Sequence, residues 1–222
     1  MIDLSDLDPF ASGYNRHCYQ HPDEPTLCLK VLRPENIEAR YQRQAWPKKV
    51  LGKARIDDNR QELRAHQQQA IRKLLAEGQS SLVWAHLPRF HGSADTSLGT
   101  ANVSEFISGS EGLPAETLEH YLQRRGFDQS MQEAVDRFGH WLSETGILTR
   151  NLLPHNLVIA VRNGQPELFL VDGLGAPAIP DTLAVLPAWR RRYIERRVRR
   201  FYLRINWEIG DRNDSWEASQ KL

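Results

Sequence analysis

Asn151-Leu152-Leu153-Pro154-His155-Asn156-Leu157-Val158, answered by Leu168-Phe169-Leu170-Val171-Asp172-Gly173-Leu174-Gly175, is the stretch on which the fold turns. Leu157–Val161 and Glu167–Val171 are short β-rich runs. Between them Arg162-Asn163-Gly164-Gln165 contains Asn-Gly, whose tolerance of positive φ makes it a strong hairpin signal. Asn156 stands just before the first strand and Asp172 just after the second, so a hairpin puts both at one end. An amide oxygen and a carboxylate there can hold a Mg²⁺ that bridges the phosphates of a nucleotide. Taken singly, an Asn in a loop is an ordinary cap residue and an Asp before Gly an ordinary turn residue. The spacing and the flanking pattern favour the pair.

Upstream, strands are expected around Cys18-Tyr19 and over Leu27–Leu32, joined by the turn His21-Pro22-Asp23-Glu24-Pro25. Residues 33–56 read as a connection with a helical portion, carrying seven basic residues against Glu35 and Glu38. One long helix is expected from about Asp57 to Glu77. Asp57, Asp58 and Asn59 cap it, and Leu63, Ala70, Ile71, Leu74 and Leu75 form its apolar stripe. Strands follow at Leu87–Gly92 and Thr100–Ile107 about a turn at Leu98-Gly99, then helices at about Ala115–Arg125 and Gln129–Thr145. Downstream of the hairpin a last helix is expected from about Thr182 to Glu208. The order is that of an α+β chain, β-rich first and mainly helical second.

The bulk composition agrees. A chain of 222 residues suits one domain, or one domain in two lobes. With 40% hydrophobic and 26% charged residues it is not disordered throughout, and a net charge of +1 gives the chain as a whole no pull toward nucleic acid or membrane. Cys18 and Cys28 read as small buried thiols on neighbouring strands, in a reducing compartment. The acidic opening MIDLSDLDPFASG is no signal peptide, and no run approaches the ~20 apolar residues of a spanning helix. A cytoplasmic protein is expected, with any membrane contact peripheral, at the inner membrane. The eight histidines form no HxxxH or HExxH pair, and none is assigned to a metal.

The two decisive segments resemble the catalytic loop and the metal-binding motif of protein kinases, H-R-D-L-K-P-x-N followed by a hairpin and D-F-G. In that frame Lys30, in Cys28-Leu29-Lys30-Val31, is similar to the lysine that holds the α- and β-phosphates, and Glu62 to its ion-pair partner. Asn156 and Asp172 take the place of the metal ligands. Phe10–Cys18 resembles a reduced glycine-rich loop in which Gly13 remains, and Glu105–Ile107 would lie near the adenine. The resemblance thus implies a reduced, bilobal kinase-like fold binding ATP and Mg²⁺. Its N-lobe would cover about residues 1–107 and its C-lobe about 108–222. The opening from Leu4 to Lys30, Arg60–Leu63 and Leu87–Gly92 also resemble the YrbL family of PhoP regulatory network proteins, which implies a fold more than a reaction.

The departures from the kinase pattern bear on chemistry. Asn151 stands where the catalytic-loop aspartate is expected, and a neutral amide can orient a hydroxyl but cannot accept its proton. Thr149 replaces the histidine and Leu153 the lysine. Only 50 residues follow Asp172, without A-P-E, so a peptide substrate held in the usual way is not expected. Three functions stay open: a phosphotransferase acting on a small or lipid-linked hydroxyl, a catalytically impaired pseudokinase serving as a regulatory or scaffold protein, and, with no direct support in the sequence, nucleotidyl transfer from a differently oriented ATP.

Trp189–Arg204 has eight arginines against one glutamate, with apolar residues recurring at helical spacing. It reads as a basic amphipathic helix, near 187–208, whose stripe is buried. Its arginines either face solvent only or also touch an anionic surface or a phosphate-bearing partner between Arg190 and Arg204. Nucleic acid is the less expected partner.

Overall fold

Leu27–Leu32 has the alternation that decides the first unit. Leu29 and Val31 point to one side of the strand, Cys28 and Lys30 to the other. In the computed structural model, which describes residues 1–43, 56–177, 186–210 and 216, this segment is the third strand of a five-stranded antiparallel sheet. The strands are β1 (Ala11–Ser12), β2 (Arg16–Gln20), β3 (Leu27–Leu32), β4 (Phe90–Thr96) and β5 (Gly99–Glu105), in the order β1-β2-β3-β5-β4. One face carries Tyr19, Leu29, Val31, Ala101 and Val103, which close with Leu4 into an apolar core. The register puts Cys18 opposite Lys30 and Lys30 opposite Asn102, so the other face is polar.

The N-terminal segment touches one end of this sheet. Ile2 forms a parallel bridge with Thr96, donating its N–H to the Asp95 carbonyl and accepting from Ser97 N–H, both at 2.9 Å. Helix α1 (Pro34–Gln42) supplies the helical portion expected after β3, while residues 44–55 of that basic connection lie outside the described residues.

The long helix expected from Asp57 to Glu77 is two helices, α2 (Asp58–His66) and α3 (Gln69–Ala76). The chain separates there into two compact units, Met1–His66 with Pro88–Phe106, and Gln67–Leu87 with Ile107–Leu222. Gln68 takes an extended conformation (φ −60°, ψ 149°), and its side-chain oxygen accepts the Leu148 N–H at 2.8 Å. The foreseen stripe is correspondingly broken. Ala70 and Ile71 are buried, but Leu63 and Leu75 are exposed, because α2 buries Asn59, Glu62 and Ala65 instead. Asp57 does cap α2, accepting from Arg60 N–H at 2.9 Å.

The second unit is mainly helical: α3, the short α4 (Ser80–Val83), α5 (Leu118–Arg125), α6 (Gln129–Thr145) and α7 (Pro187–Ile209), with the hairpin of β6 (Leu157–Arg162) and β7 (Gln165–Leu170). Helix α6 matches its expected span, because both ends are written locally. Asp128 accepts the Met131 N–H at 2.8 Å, and Gly146 ends the helix at φ 66°. Its buried residues Met131, Ala134, Val135, Phe138, Trp141, Leu142 and Thr145 recur at three and four. The hairpin turns at Asn163 and Gly164, both at positive φ, as Asn-Gly requires. Helix α7 starts at Pro187, the position a proline fits best. An antiparallel sheet followed by a helical part makes the chain α+β, as its sequence implies.

Candidate functional site

In the first unit, helix α2 lies on the polar face of the sheet and brings Glu62 to Lys30. Lys30 Nζ meets Glu62 Oε1 at 2.5 Å and Arg16 Nη1 meets Glu62 Oε2 at 2.6 Å, with all three side chains buried. Asn102 of β5 donates to the same Oε2 at 3.0 Å, so three neighbouring strands converge on one carboxylate. Burial alone would raise the Glu62 pKa. The Lys30 and Arg16 charges, with hydrogen bonds from Lys30 and Asn102, outweigh it and hold the group well below the usual carboxylate range. Asn59 fixes the helix further, donating to the Lys30 carbonyl at 2.9 Å, while Asn15 donates to Asp58 at 2.6 Å. One turn after Glu62, His66 stacks on Phe90 at 4.3 Å, and burial pulls its pKa down to about 4.

Cys18 and Cys28 lie on this same face as free thiols, Cys28 buried and Cys18 half-buried. A hydrogen bond from Cys28 lowers the Cys18 pKa to about 7 against the opposing effect of burial, and the Lys30 and Arg16 charges add to it. The same bond, with burial, pushes the Cys28 thiol up.

In the second unit, the loop after α6 pairs with the segment after β7. Thr149 bridges Leu174, and the Gly173 carbonyl accepts from Arg150 N–H at 2.7 Å and Asn151 N–H at 3.2 Å. This pairing sets exposed Asn151 beside Asp172-Gly173. Gly173 has φ +83°, and a Cβ there would run into the Asn151 carbonyl oxygen. Asn156 is buried and donates its amide to the Asn151 carbonyl at 2.9 Å, which leaves Oδ1 as its acceptor. The Val171 N–H donates to the Asn156 carbonyl at 2.9 Å, tying the two ends of the hairpin together. Asp172 is exposed, and its Oδ1 accepts the Gly173 N–H at 2.7 Å.

The loop is also held from α7. The Tyr193 hydroxyl donates to the Thr149 carbonyl at 2.9 Å, and Arg197 Nε donates to that hydroxyl at 2.8 Å.

The donor chemistry at Asn156 and Asp172 fits a Mg²⁺ that takes one or two protein oxygens and keeps water and phosphate for the rest. Among the described residues no cluster of three or more His, Cys, Asp or Glu could form an all-protein cage.

The family model described as PhoP regulatory network protein YrbL matches residues 2–209. The chain belongs to this family. The YrbL proteins of Escherichia coli (strain K12) and Shigella flexneri are each 25% identical over 212 residues, covering 92% of this chain and 86% of theirs. Two mutant forms of the Mycobacterium tuberculosis PknI kinase domain are similar in structure, each at 14% identity. One has a TM-score of 0.48, covering 97% of this chain and 80% of that one, and the other 0.38, covering 90% and 84%. Likenesses of that size say nothing of chemistry.

Within this YrbL-family chain the expected site residues fall into two groups, each in its own unit. Lys30 and Glu62 are in contact in the first; Asn151, Asn156 and Asp172 cluster in the second. Gly13 and Glu105 have other partners. The Gly13 N–H closes the β1–β2 turn on the Arg16 carbonyl at 2.9 Å, and Glu105 Oε2 accepts the Arg89 N–H at 3.1 Å. Arg16 and Asn102 were not foreseen. Arg16 could have been found by extending the β2 alternation two residues back from Cys18, onto the face that carries Lys30. Asn102 had no signal beyond a polar residue in an otherwise apolar strand.

Proposed function

We propose that the protein binds ATP with Mg²⁺ in the manner of a kinase. Lys30 contacts the α- and β-phosphates, Glu62 orients Lys30, and Asn156 and Asp172 hold the metal. The observation that carries this reading is the pair of buried cations on Glu62. A carboxylate that only tied α2 to the sheet would be neutralised by Arg16 alone. Lys30, aligned on the other oxygen, is the group that phosphate binding requires. When bound, Mg²⁺ would bridge phosphate oxygens and offset their charge. Gly13 and Glu105, already engaged elsewhere, are left out of the proposed contacts. The reaction such a site serves is transfer of phosphate to a small or lipid-linked hydroxyl, which Asn151 would orient.

Asn151 also favours a second reading, an impaired kinase that binds nucleotide as a regulatory or scaffold protein. Its amide cannot take a proton from the acceptor, and general-base help is worth roughly 10²–10⁴ in rate. The test is thermal unfolding with ATP, with and without Mg²⁺. Saturation at ~100 times the dissociation constant stabilises by about 2.7 kcal/mol. Asp172→Ala should lose the Mg²⁺-dependent part of the shift; a full shift in that variant removes the metal role. Turnover then separates the readings. Phosphate transfer by the native chain that survives Asn151→Ala means an enzyme working without that base, whereas turnover only in Asn151→Asp means an impaired one.

A further inference from the structure

Helix α7 buries Tyr193, Ile194, Phe201, Ile205 and Glu208 in the second unit. At 100° per residue, its exposed residues fall on the opposite half of the helix. Arg191, Arg192, Arg196, Arg199 and Arg200 are there, with Glu195 the one acid among them. Of these Arg196 also lies over the Tyr193 ring at 5.7 Å, and three further arginines turn toward the buried side. Arg197 donates to Tyr193, Arg204 pairs with Glu208 at 2.6 Å and covers the Trp207 ring, and Arg190 donates to Gln69 at 3.1 Å. Two aliphatic side chains, Leu203 and Ile209, stay 40% and 44% exposed toward the C-terminal end of the same arc.

We propose that this face of α7 lies on a bilayer containing anionic phospholipid. Three observations favour that occupant. The helix is 23 residues long, about 35 Å at 1.5 Å per residue, and shows its arginines along the side turned away from the protein, a basic face of the kind that anionic headgroups attract. The whole chain is only +1. With eight arginines against two glutamates on α7, the remainder is net acidic, so a negative surface attracts this helix and repels the rest. Leu203 and Ile209 offer apolar contact to the acyl boundary beside arginines whose heads reach phosphate. Single-stranded nucleic acid is the poorer match, because it is gripped by aromatic rings on which bases stack. Here Tyr193 is buried, Trp189 is stacked on Tyr193 at 5.0 Å, and Trp207 is covered by Arg204. No helix among the described residues is long and apolar enough to cross a membrane, so the contact is peripheral. This inference goes beyond the nucleotide reading and does not depend on it.

The test is co-sedimentation of the full chain with vesicles of phosphatidylcholine alone and of phosphatidylcholine with phosphatidylglycerol. R191Q/R192Q/R199Q removes three arginines that do not support the Thr149 loop, and its melting temperature should match the native one. Binding to the anionic vesicles is expected, weakening between about 0.1 and 1 M salt as the Debye length shrinks. The triple variant should bind on the order of 100-fold more weakly, at about 5-fold per arginine. Replacing the same three by Lys should preserve binding, and Leu203→Ser should weaken it a few-fold. The proposal is overturned if the native chain ignores anionic vesicles at low salt, if the glutamine variant binds as well as native, or if single-stranded RNA at equal phosphate concentration displaces the vesicles.

Discussion

Replacing Glu62 by Gln would leave Arg16 and Lys30 buried against a neutral amide. Removing one partner of a buried ion pair costs about 3–5 kcal/mol, mostly because charge is left without its counterpart. Lys30→Met should cost clearly less, since Arg16 still holds Oε2 at 2.6 Å and Asn102 still donates to it. Urea denaturation of the two variants checks this order; equal losses would mean that Arg16 does not share the carboxylate. Lys30 was legible because a lysine within an apolar strand needs a buried counter-charge, and Glu62 was named as that partner by the resemblance to protein kinases. Arg16 was less legible. Alternation with Cys18 puts it on the face that carries Lys30, but an arginine at the start of a strand is ordinarily exposed, so nothing marked it as buried.

Gly173 decides how closely two elements of the second unit approach. Its φ of +83° disfavours any other residue, and a Cβ would collide with the Asn151 carbonyl. Gly173→Ala should destabilise by about 1–3 kcal/mol through backbone strain, with further loss as the Asn151 loop shifts. Thermal denaturation reads this directly, and a native-like melting temperature would show that the pairing can relax at little cost. The hairpin itself was legible because Asn-Gly encodes a two-residue turn on its own. Helix α6 was legible for the same reason, Asp and Gly marking its ends. The break between α2 and α3 was not. No glycine or proline interrupts Gln67-Gln68, and what stops the helix is a tertiary hydrogen bond from the Leu148 N–H to the Gln68 side chain, 80 residues away in sequence.

Acid should lower stability over two successive pH ranges, through two groups of the first unit. Burial holds His66 neutral in the folded chain, with its pKa down to about 4 from 6.5. Between those values the unfolded chain binds a proton that the folded chain does not, so stability falls as pH drops through that window. Glu62 acts lower. Unfolded glutamates protonate at about 4.3, whereas the folded group stays ionised well below that, so its contribution is complete above about 4.3 and is lost on further acidification. Urea midpoints against pH should lose part of their slope above about 4 in His66→Phe, buried His86 supplying the rest, and flatten below about 4 in Glu62→Gln. A native profile in both variants would remove these two groups as the origin. The order of strands and helices across the molecule was legible from sequence, because each element carries its own pattern. The grouping of Gln67–Leu87 with the second unit was not, because that boundary falls inside an apparently continuous helical stretch.

The bridge from Ile2 to β4 has a consequence for self-association. A sheet edge with free N–H and carbonyl groups recruits strands from other chains. Here Ile2 occupies only the Thr96 end of the β4 edge, and the opposite edge, β1, is two residues long. Among the described residues strand addition is therefore hindered at the Asp95–Ser97 end of the β4 edge and at the short β1. Deleting residues 1–4 should free the Asp95 carbonyl and the Ser97 N–H and, with Leu4 gone from the core, make the chain oligomerise with rising concentration. Light scattering across a dilution series would show it, and a truncated chain that keeps the native mass at every concentration would mean that β4 needs no cover.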